Sequence, residues 1–275
     1  MAIPHDIDPL PPSHLAHRIA LAVAAAGGQA WMVGGSVRDA LLARPSKDID
    51  LEVHGLPADR LEAILRTVGP VAAVGKSFGV FKVGPGHDAI DVALPRSTTS
   101  ETELPHGTMR GEPDLGLEAA CRGRDLTLNA IVANPLTGEI KDPTGGRQDL
   151  IAGRLRAADA TRFGDDPLRV IRVARFAATH ELDPDPTLIA LCQTIDLTAI
   201  AGERLAGEVI RALLRSERPS RFFEVLEATG ALPTIWGDGP NLQHLDRNID
   251  RAAGLRTTVG PAPRDLALML AVVFG

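Results

Sequence analysis

Asp48 and Asp50 stand two residues apart in the stretch DIDLEV, and Asp91 sits in a second alternating stretch, AIDVAL. Residues two apart on a strand share a face, so Asp48 and Asp50 point together while Ile49 turns to the core. Asp91, on a later strand of the same sheet, can join them. Three carboxylates at one sheet edge make a hard-oxygen site suited to Mg²⁺. Two such ions, about 3.5–4 Å apart, can clamp the in-line transfer of a phosphoryl or nucleotidyl group. Upstream, Gly34 and Gly35 close an apolar strand and lead into a helix that carries Arg38. Glycines let the backbone approach a triphosphate, and a helix N-terminus favours its charge. Taken alone, the aspartate pair also suits a turn cap beside a solvated carboxylate, and the glycines a plain chain reversal. With Arg38 and Asp91 added, phosphate and metal chemistry is the better account.

A second group lies in DDPLRVIR. Pro167 is expected at the first position of a helix with Asp166 as its cap. Arg169 and Arg172 are three apart, and Asp165 is four before Arg169, so they share a helix face. By themselves these residues also describe a capped helix with a solvated ion-pair face.

The elements that must position these groups follow from periodicity. Residues 14–26 read as an amphipathic helix stopped by Gly27 and Gly28. AWMVGG is a short strand, SVRDALLA a helix capped by Ser36, and DIDLEV a strand. PADRLEAILRTVG repeats Leu61, Ile64, Leu65 and Val68 at helical spacing, and GVFKVG and AIDVAL add two strands to the same sheet. Pro95 to about Gly116 is a polar loop without period, of a length that usually serves function. Beyond Leu150 the chain turns helical, through DDPLRVIRVARFAATH, DPTLIALCQTI, GERLAGEVIRALLR and PSRFFEVLEATGAL. The expected plan is α+β: a floppy acidic tail over 1–13, a mixed-sheet head over 14–150, and a helical neck and partial body over 151–275.

Composition narrows the classes. The chain of 275 residues has 44% hydrophobic and 23% charged residues, which fits a globular protein with a real core. No apolar run approaches the roughly 20 residues of a membrane span, and Cys121 and Cys192 lack a pairing motif, so a cytoplasmic setting without membrane partners is expected. A net charge of −6 argues against wholesale coating of nucleic acid, and with no Tyr and 3% aromatics, base-stacking platforms are not expected. Any RNA contact would fall to arginines. Arg211, Arg215, Arg218 and Arg221, interleaved with Glu208 and Glu217, read as a solvated helix face.

GGSVRDALLARPSKDIDLEV resembles the head of class II tRNA nucleotidyltransferases and bacterial poly(A) polymerases, within the polymerase-β-like nucleotidyltransferase superfamily. The resemblance continues through IDVALPR, RDLTLNAI, DPTGGRQDL and FGDDPLRVIRVARFAA, over about residues 30–235. It implies that Gly35 and Arg38, with Gly34 beside them, hold the incoming triphosphate. Asp48 and Asp50 would ligate Mg²⁺ in a two-metal site, and Asp91 would assist deprotonation of the primer 3′-hydroxyl. Arg124 matches a nucleotide contact, and Asp125 and Asn129 lie in the ribose motif. Asp166 and Arg169 match the pair that reads the Watson–Crick edge of CTP or ATP, with Arg172 as a phosphate contact. A carboxylate accepts from the amino group of C or A, while U and G leave buried groups unpaired. The implied activity is template-independent addition of C and A to the 3′ end of tRNA.

Several positions depart from the family pattern. Gly123 replaces the first arginine of R-R-D, and Asp165 replaces a glutamate. His244 could echo a histidine of a further catalytic domain, but reads better as a surface or capping residue. Poly(A) addition and partial C-C or A addition are the alternatives; VGKSFGVFKV lacks the basic R-[FY]-x-L-x-H pattern of bacterial poly(A) polymerases, which favours the tRNA enzyme. A non-catalytic RNA-binding relative would require a damaged triad, whereas Asp48, Asp50 and Asp91 are all present.

Overall fold

The computed structural model describes residues 3–44, 49–75, 79–97, 110–233, 242–256 and 263–274. The chain divides into two compact units, Met1–Ile151 and Ala152–Gly275.

The first unit is built on a seven-stranded sheet. Helix α1 (Leu15–Ala25) is capped by the His14 ring, which accepts from the Ala16 N–H at 3.1 Å, and it buries Ala16, Ile19, Ala20 and Val23. Strand β1 (Gln29–Val33) runs into α2 (Gly35–Leu41), then β2 (Asp50–His54) into α3 (Ala58–Val68). Strands β3 (Val71–Gly75), β4 (Val80–Val83) and β5 (Ile90–Ala93) follow. The polar loop begins and ends in a two-residue ladder, β6 (Arg96–Ser97) against β7 (Arg110–Gly111). Helix α4 (Leu117–Arg122), a 3-10 turn over Thr127–Asn129, β8 (Val132–Ala133), β9 (Ile140–Lys141) and α5 (Gly146–Ile151) complete the unit. The strand order is β3-β4-β5-β2-β1-β8-β9, with β2 and β5 parallel and the other pairs antiparallel.

Alternation along β2 separates two environments. Leu51 and Val53 are buried apolar residues on one face, whereas Asp50, Glu52 and His54 share the other. Helices α1 and α3 pack on each other and on the sheet, closing a core that includes Leu61, Leu65, Phe81 and Val92.

Two local expectations are corrected. Ser36 does not cap α2: the helix begins at Gly35, and the buried Ser36 hydroxyl donates to the Val33 carbonyl at 3.2 Å. Residues 4–10 are not a floppy tail. Ile7 N–H donates to the Gly138 carbonyl (3.1 Å), Leu10 N–H to Pro135 (3.0 Å), and Arg147 reaches the Pro4 carbonyl at 2.7 Å. Asp6 accepts from the Ile140 N–H at 3.2 Å, and that bond lowers its carboxyl pKa. Main-chain pairing anchors this segment, and composition carries no signal for that.

In the second unit β10 (Arg154–Leu155) pairs in parallel with β11 (Asp183–Pro184), a ladder too short to leave a period in the sequence. Helix α6 (Leu168–His180) buries nine of its residues and packs on α8 (Gly202–Arg215) and α9 (Ser220–Ala228). Helix α7 (Pro186–Cys192) is capped by Asp185, and α10 (Leu242–Ala253) and α11 (Pro263–Phe274) pack together. Among the described residues no helix is long and apolar enough to cross a membrane.

Candidate active site

Asp50 opens β2 and pairs in register with Asp91 on β5, and Asp91 pairs in turn with Lys82 on β4. The register sets the three side chains in one row, each of them exposed. Lys82 Nζ lies 2.9 Å from Asp91 Oδ1. Asp48 lies outside the described residues, so the expected triad is seen as a pair. Among the described residues no group of three His, Cys, Asp or Glu side chains is disposed to hold a metal ion. Two adjacent carboxylates of hard-oxygen character nonetheless suit a divalent cation of the Mg²⁺ class.

Beside this row the backbone turns sharply. Gly34 has φ 72° and ψ −138°, a conformation open to glycine, and a Cβ there would face Asp50 Oδ2 at 3.8 Å. Arg38, one turn into α2, is buried. Its guanidinium contacts Asp39 at 2.9–3.0 Å and donates through Nη1 to Asn129 Oδ1 at 3.1 Å. Asn129 donates to Asp125 Oδ1 at 3.0 Å, and that oxygen also takes the Leu126 N–H at 2.8 Å. The structure therefore brings Gly34, Gly35, Arg38, Asp125 and Asn129 together across about ninety residues of sequence, the separation of Arg38 and Asn129 being 91.

The motif DPTGGRQDL supports this turn from behind. Asp149, fully buried, accepts from the Thr127 hydroxyl at 2.8 Å, and Asp142 caps α5 by accepting from the Gly146 and Arg147 N–H groups at 2.8 and 3.0 Å. A Cβ on Gly146 would sit 2.2 Å from the Thr127 carbonyl oxygen, so the turn rests directly on the α5 backbone.

Arg124 is placed against β2, where Nη2 meets Glu52 Oε2 at 2.8 Å. Burial raises the Glu52 carboxyl pKa, but Arg124 and His54 outweigh it and hold the carboxyl below its usual range. Glu52 and His54 were not among the expected site residues. The signal was present: they continue the period-two face that Asp50 begins.

In the second unit the expected residues are held differently. Helix α6 begins at Leu168, one residue later than expected. Asp166 still caps it, accepting from the Leu168 N–H at 3.1 Å and pairing with Arg204 at 2.7 Å. Asp165 falls in a 3-10 turn rather than on the α6 face, 3.6 Å from Arg162. Arg169, also buried, donates to the Arg162 carbonyl at 2.9 Å. Arg172 lies 3.6 Å from Glu208, and its guanidinium carbon is 5.4 Å from the Phe176 ring centre. Glu208 also pairs with Arg175 and Arg211, and at 1% exposure it is no part of a solvated face. The packing of α6 on α8 buries this acid, and three arginines compensate its charge. Burial draws the Arg175 guanidinium down to about 10, with Glu208 opposing that shift. Arg211, Arg215 and Arg218 are exposed, as expected of a solvated face, whereas Arg221 is half-buried and pairs with Asp183. The side chain of His244 lies outside the described residues.

Residues 30–156 match the poly(A) polymerase head domain. The Multifunctional CCA protein of Cupriavidus metallidurans is 39% identical over 232 residues, covering 80% of this chain and 52% of that protein. Its namesake in Nitrosococcus oceani is 36% identical over 229 residues, covering 76% and 50%. The chain thus spans about half the length of the curated relatives it matches. Among solved structures, the Bacillus stearothermophilus CCA-adding enzyme in complex with CTP aligns at a TM-score of 0.70 and 28% identity, over 88% of this chain and 57% of that one. The Thermotoga maritima CCA-adding enzyme complexed with tRNA aligns at 0.73 and 22% identity, over 99% and 66%, a likeness of fold.

Proposed function

The chain belongs to the family of class II CCA-adding enzymes and bacterial poly(A) polymerases, and from that premise we propose that it is a template-independent nucleotidyltransferase adding C and A to the 3′ end of tRNA. The observation that carries the proposal is one juxtaposition. The Asp50–Asp91 register pair lies beside a glycine turn whose helix delivers Arg38 to the Asn129–Asp125 pair.

In this reading Gly34, Gly35 and Arg38 receive the triphosphate of CTP or ATP, and Asp125 and Asn129 hold the ribose hydroxyls. Carboxylate and amide groups suit sugar hydroxyls, and a guanidinium suits phosphate. Asp48 and Asp50 would hold Mg²⁺, which when bound neutralises the triphosphate and activates the attacking oxygen. The primer 3′-oxygen bonds to the α-phosphorus, the bond to the bridging oxygen breaks, and pyrophosphate leaves. Asp91 takes the hydroxyl proton. Asp166 and Arg169 select the base, and Arg172 makes a phosphate contact. The similarity to relatives called Multifunctional CCA protein, and to a CCA-adding enzyme solved with CTP, supports tRNA and these nucleotides as partners.

The direct test is extension of three tRNA substrates, ending before CC, after C and after CC, with each labelled triphosphate separately. Ordered addition of C, C and A is expected. Long adenylate tails would assign the chain to poly(A) synthesis, and absence of all incorporation would refute the proposal.

A further inference from the structure

Three side chains on β2 share one face, and the proposed chemistry uses only the first, Asp50. The other two, Glu52 and His54, are both buried, a costly arrangement for a carboxylate unless each oxygen is matched. Each is. Glu52 Oε1 meets His54 Nε2 at 3.1 Å, and Oε2 meets Arg124 Nη2 at 2.8 Å. His54 Nδ1 lies 2.9 Å from the Leu115 carbonyl. A carbonyl can only accept, so Nδ1 donates to Leu115 and the ring is held at both of its nitrogens.

These partners lie at the two ends of one helix. Leu115 stands just before α4 (Leu117–Arg122), and Arg124 just after it. Directly beyond Arg124 come Asp125 and the turn that ends at Asn129, which holds Arg38. We infer that Glu52 and His54 are positioning residues that clamp both ends of α4 to β2. The clamp fixes Arg124 and the ribose motif relative to Asp50 on the same strand. The inference rests on the proposed nucleotide site and adds to it the residues that hold its geometry. It also explains why Arg124, whose Nε is buried without a partner among the described residues, is held by one end of its guanidinium. Its fork is oriented by Glu52 rather than by solvent.

The test is a double-mutant cycle on CTP affinity with Glu52→Ala, Arg124→Ala and the double variant, beside Glu52→Gln, which keeps the shape and an acceptor oxygen. Hydrogen–deuterium exchange of the α4 amides without nucleotide accompanies the cycle. We expect Glu52→Ala to weaken CTP binding about tenfold, as loss of a charge-assisted hydrogen bond does, and Glu52→Gln to weaken it less. The double variant should match Arg124→Ala within about twofold, since the two residues act as one unit. Exchange of the α4 amides should accelerate in Glu52→Ala and in His54→Ala. Wild-type affinity in folded Glu52→Ala, effects that multiply in the double variant, or unchanged α4 exchange would each overturn the inference. If Glu52→Ala does not fold, Glu52→Gln and His54→Ala carry the same readouts. A wild-type protein that binds neither CTP nor ATP but shows the α4 response would instead overturn the nucleotide site and leave the clamp standing.

Discussion

The two units hold their polar side chains in contrasting ways. In the first, the residues of the proposed site hold one another, Arg38 through Asn129 to Asp125, while the side chains of Asp50 and Asp91 are exposed. In the second, Arg169 is anchored to a main-chain carbonyl, and Arg172, Arg175 and Arg211 gather on the buried Glu208. Chemistry at phosphorus needs groups that are pre-set but accessible where charge develops. In the proposed reading, base selection needs donors whose direction cannot drift, and a packed helix supplies that rigidity. The contrast suggests where mutations will be felt: in turnover for the first unit, in folding for the second.

The sharpest way to break the comparison is to remove one acid from each unit. Asp50→Asn should cut nucleotide incorporation by several kcal/mol of barrier, on the order of 10⁴-fold. Its thermal midpoint should stay near wild type, because Asp50 is exposed at the start of its strand. Single-turnover extension beside a melting curve checks both halves. Glu208→Ala should do the opposite. It strands three arginines around a buried site and should lower unfolding free energy by about 3–5 kcal/mol. A denaturant titration reads that loss, and a variant as stable as wild type would show that the arginines relax into solvent at no cost.

A smaller effect separates recognition from chemistry. Arg169→Ala should reduce discrimination between CTP and UTP by about 10–100-fold, the scale of one unpaired buried polar group. Relative kcat/KM for the four triphosphates measures it. Unchanged ratios would move base selection away from α6.

Much of this was legible because local rules agree with the fold. The strands β2 and β5, the glycine turn and the helix GERLAGEVIRALLR, which is α8 over Gly202–Arg215, could be read from period and punctuation, although β2 begins at Asp50 and leaves Ile49 outside it and half-buried. What escaped reading depends on partners distant in sequence. Residues 4–10 look unstructured in composition because main-chain atoms, which every sequence shares, anchor them. Glu208 looks solvated because a helix sequence does not say which of its faces a neighbour will cover. Glu52 and His54 were passed over although they lie on the Asp50 face, because period two reports a shared face and not its burial. The thiols of Cys121 and Cys192 needed the fold as well: burial pushes both up to about 12, which makes them packing residues rather than nucleophiles.

The gentlest probe adds a single methyl group behind the first unit's site. Gly146→Ala places a Cβ 2.2 Å from the Thr127 carbonyl oxygen, and a main-chain atom cannot swing aside as a side-chain tip can. Either α5 retreats, loosening the Asp142 cap and the Thr127–Asp149 hydrogen bond, or the turn over Thr127–Asn129 shifts. The strain should cost about 1–3 kcal/mol of stability, the usual range for overpacking a tight contact. A shift of the turn would carry Asn129 away from Arg38, so CTP affinity should also fall, by less than in a variant that removes Arg38. Catalytic turnover at saturating CTP should fall far less than in Asp50→Asn, since the carboxylate row lies on other strands. Calorimetry for CTP binding and a melting curve on the same preparation distinguish the two ways of relieving the clash. Lost stability with unchanged affinity means that α5 yields and the turn holds. Lost affinity means that the turn moves, and that Gly146 is part of what sets the nucleotide site.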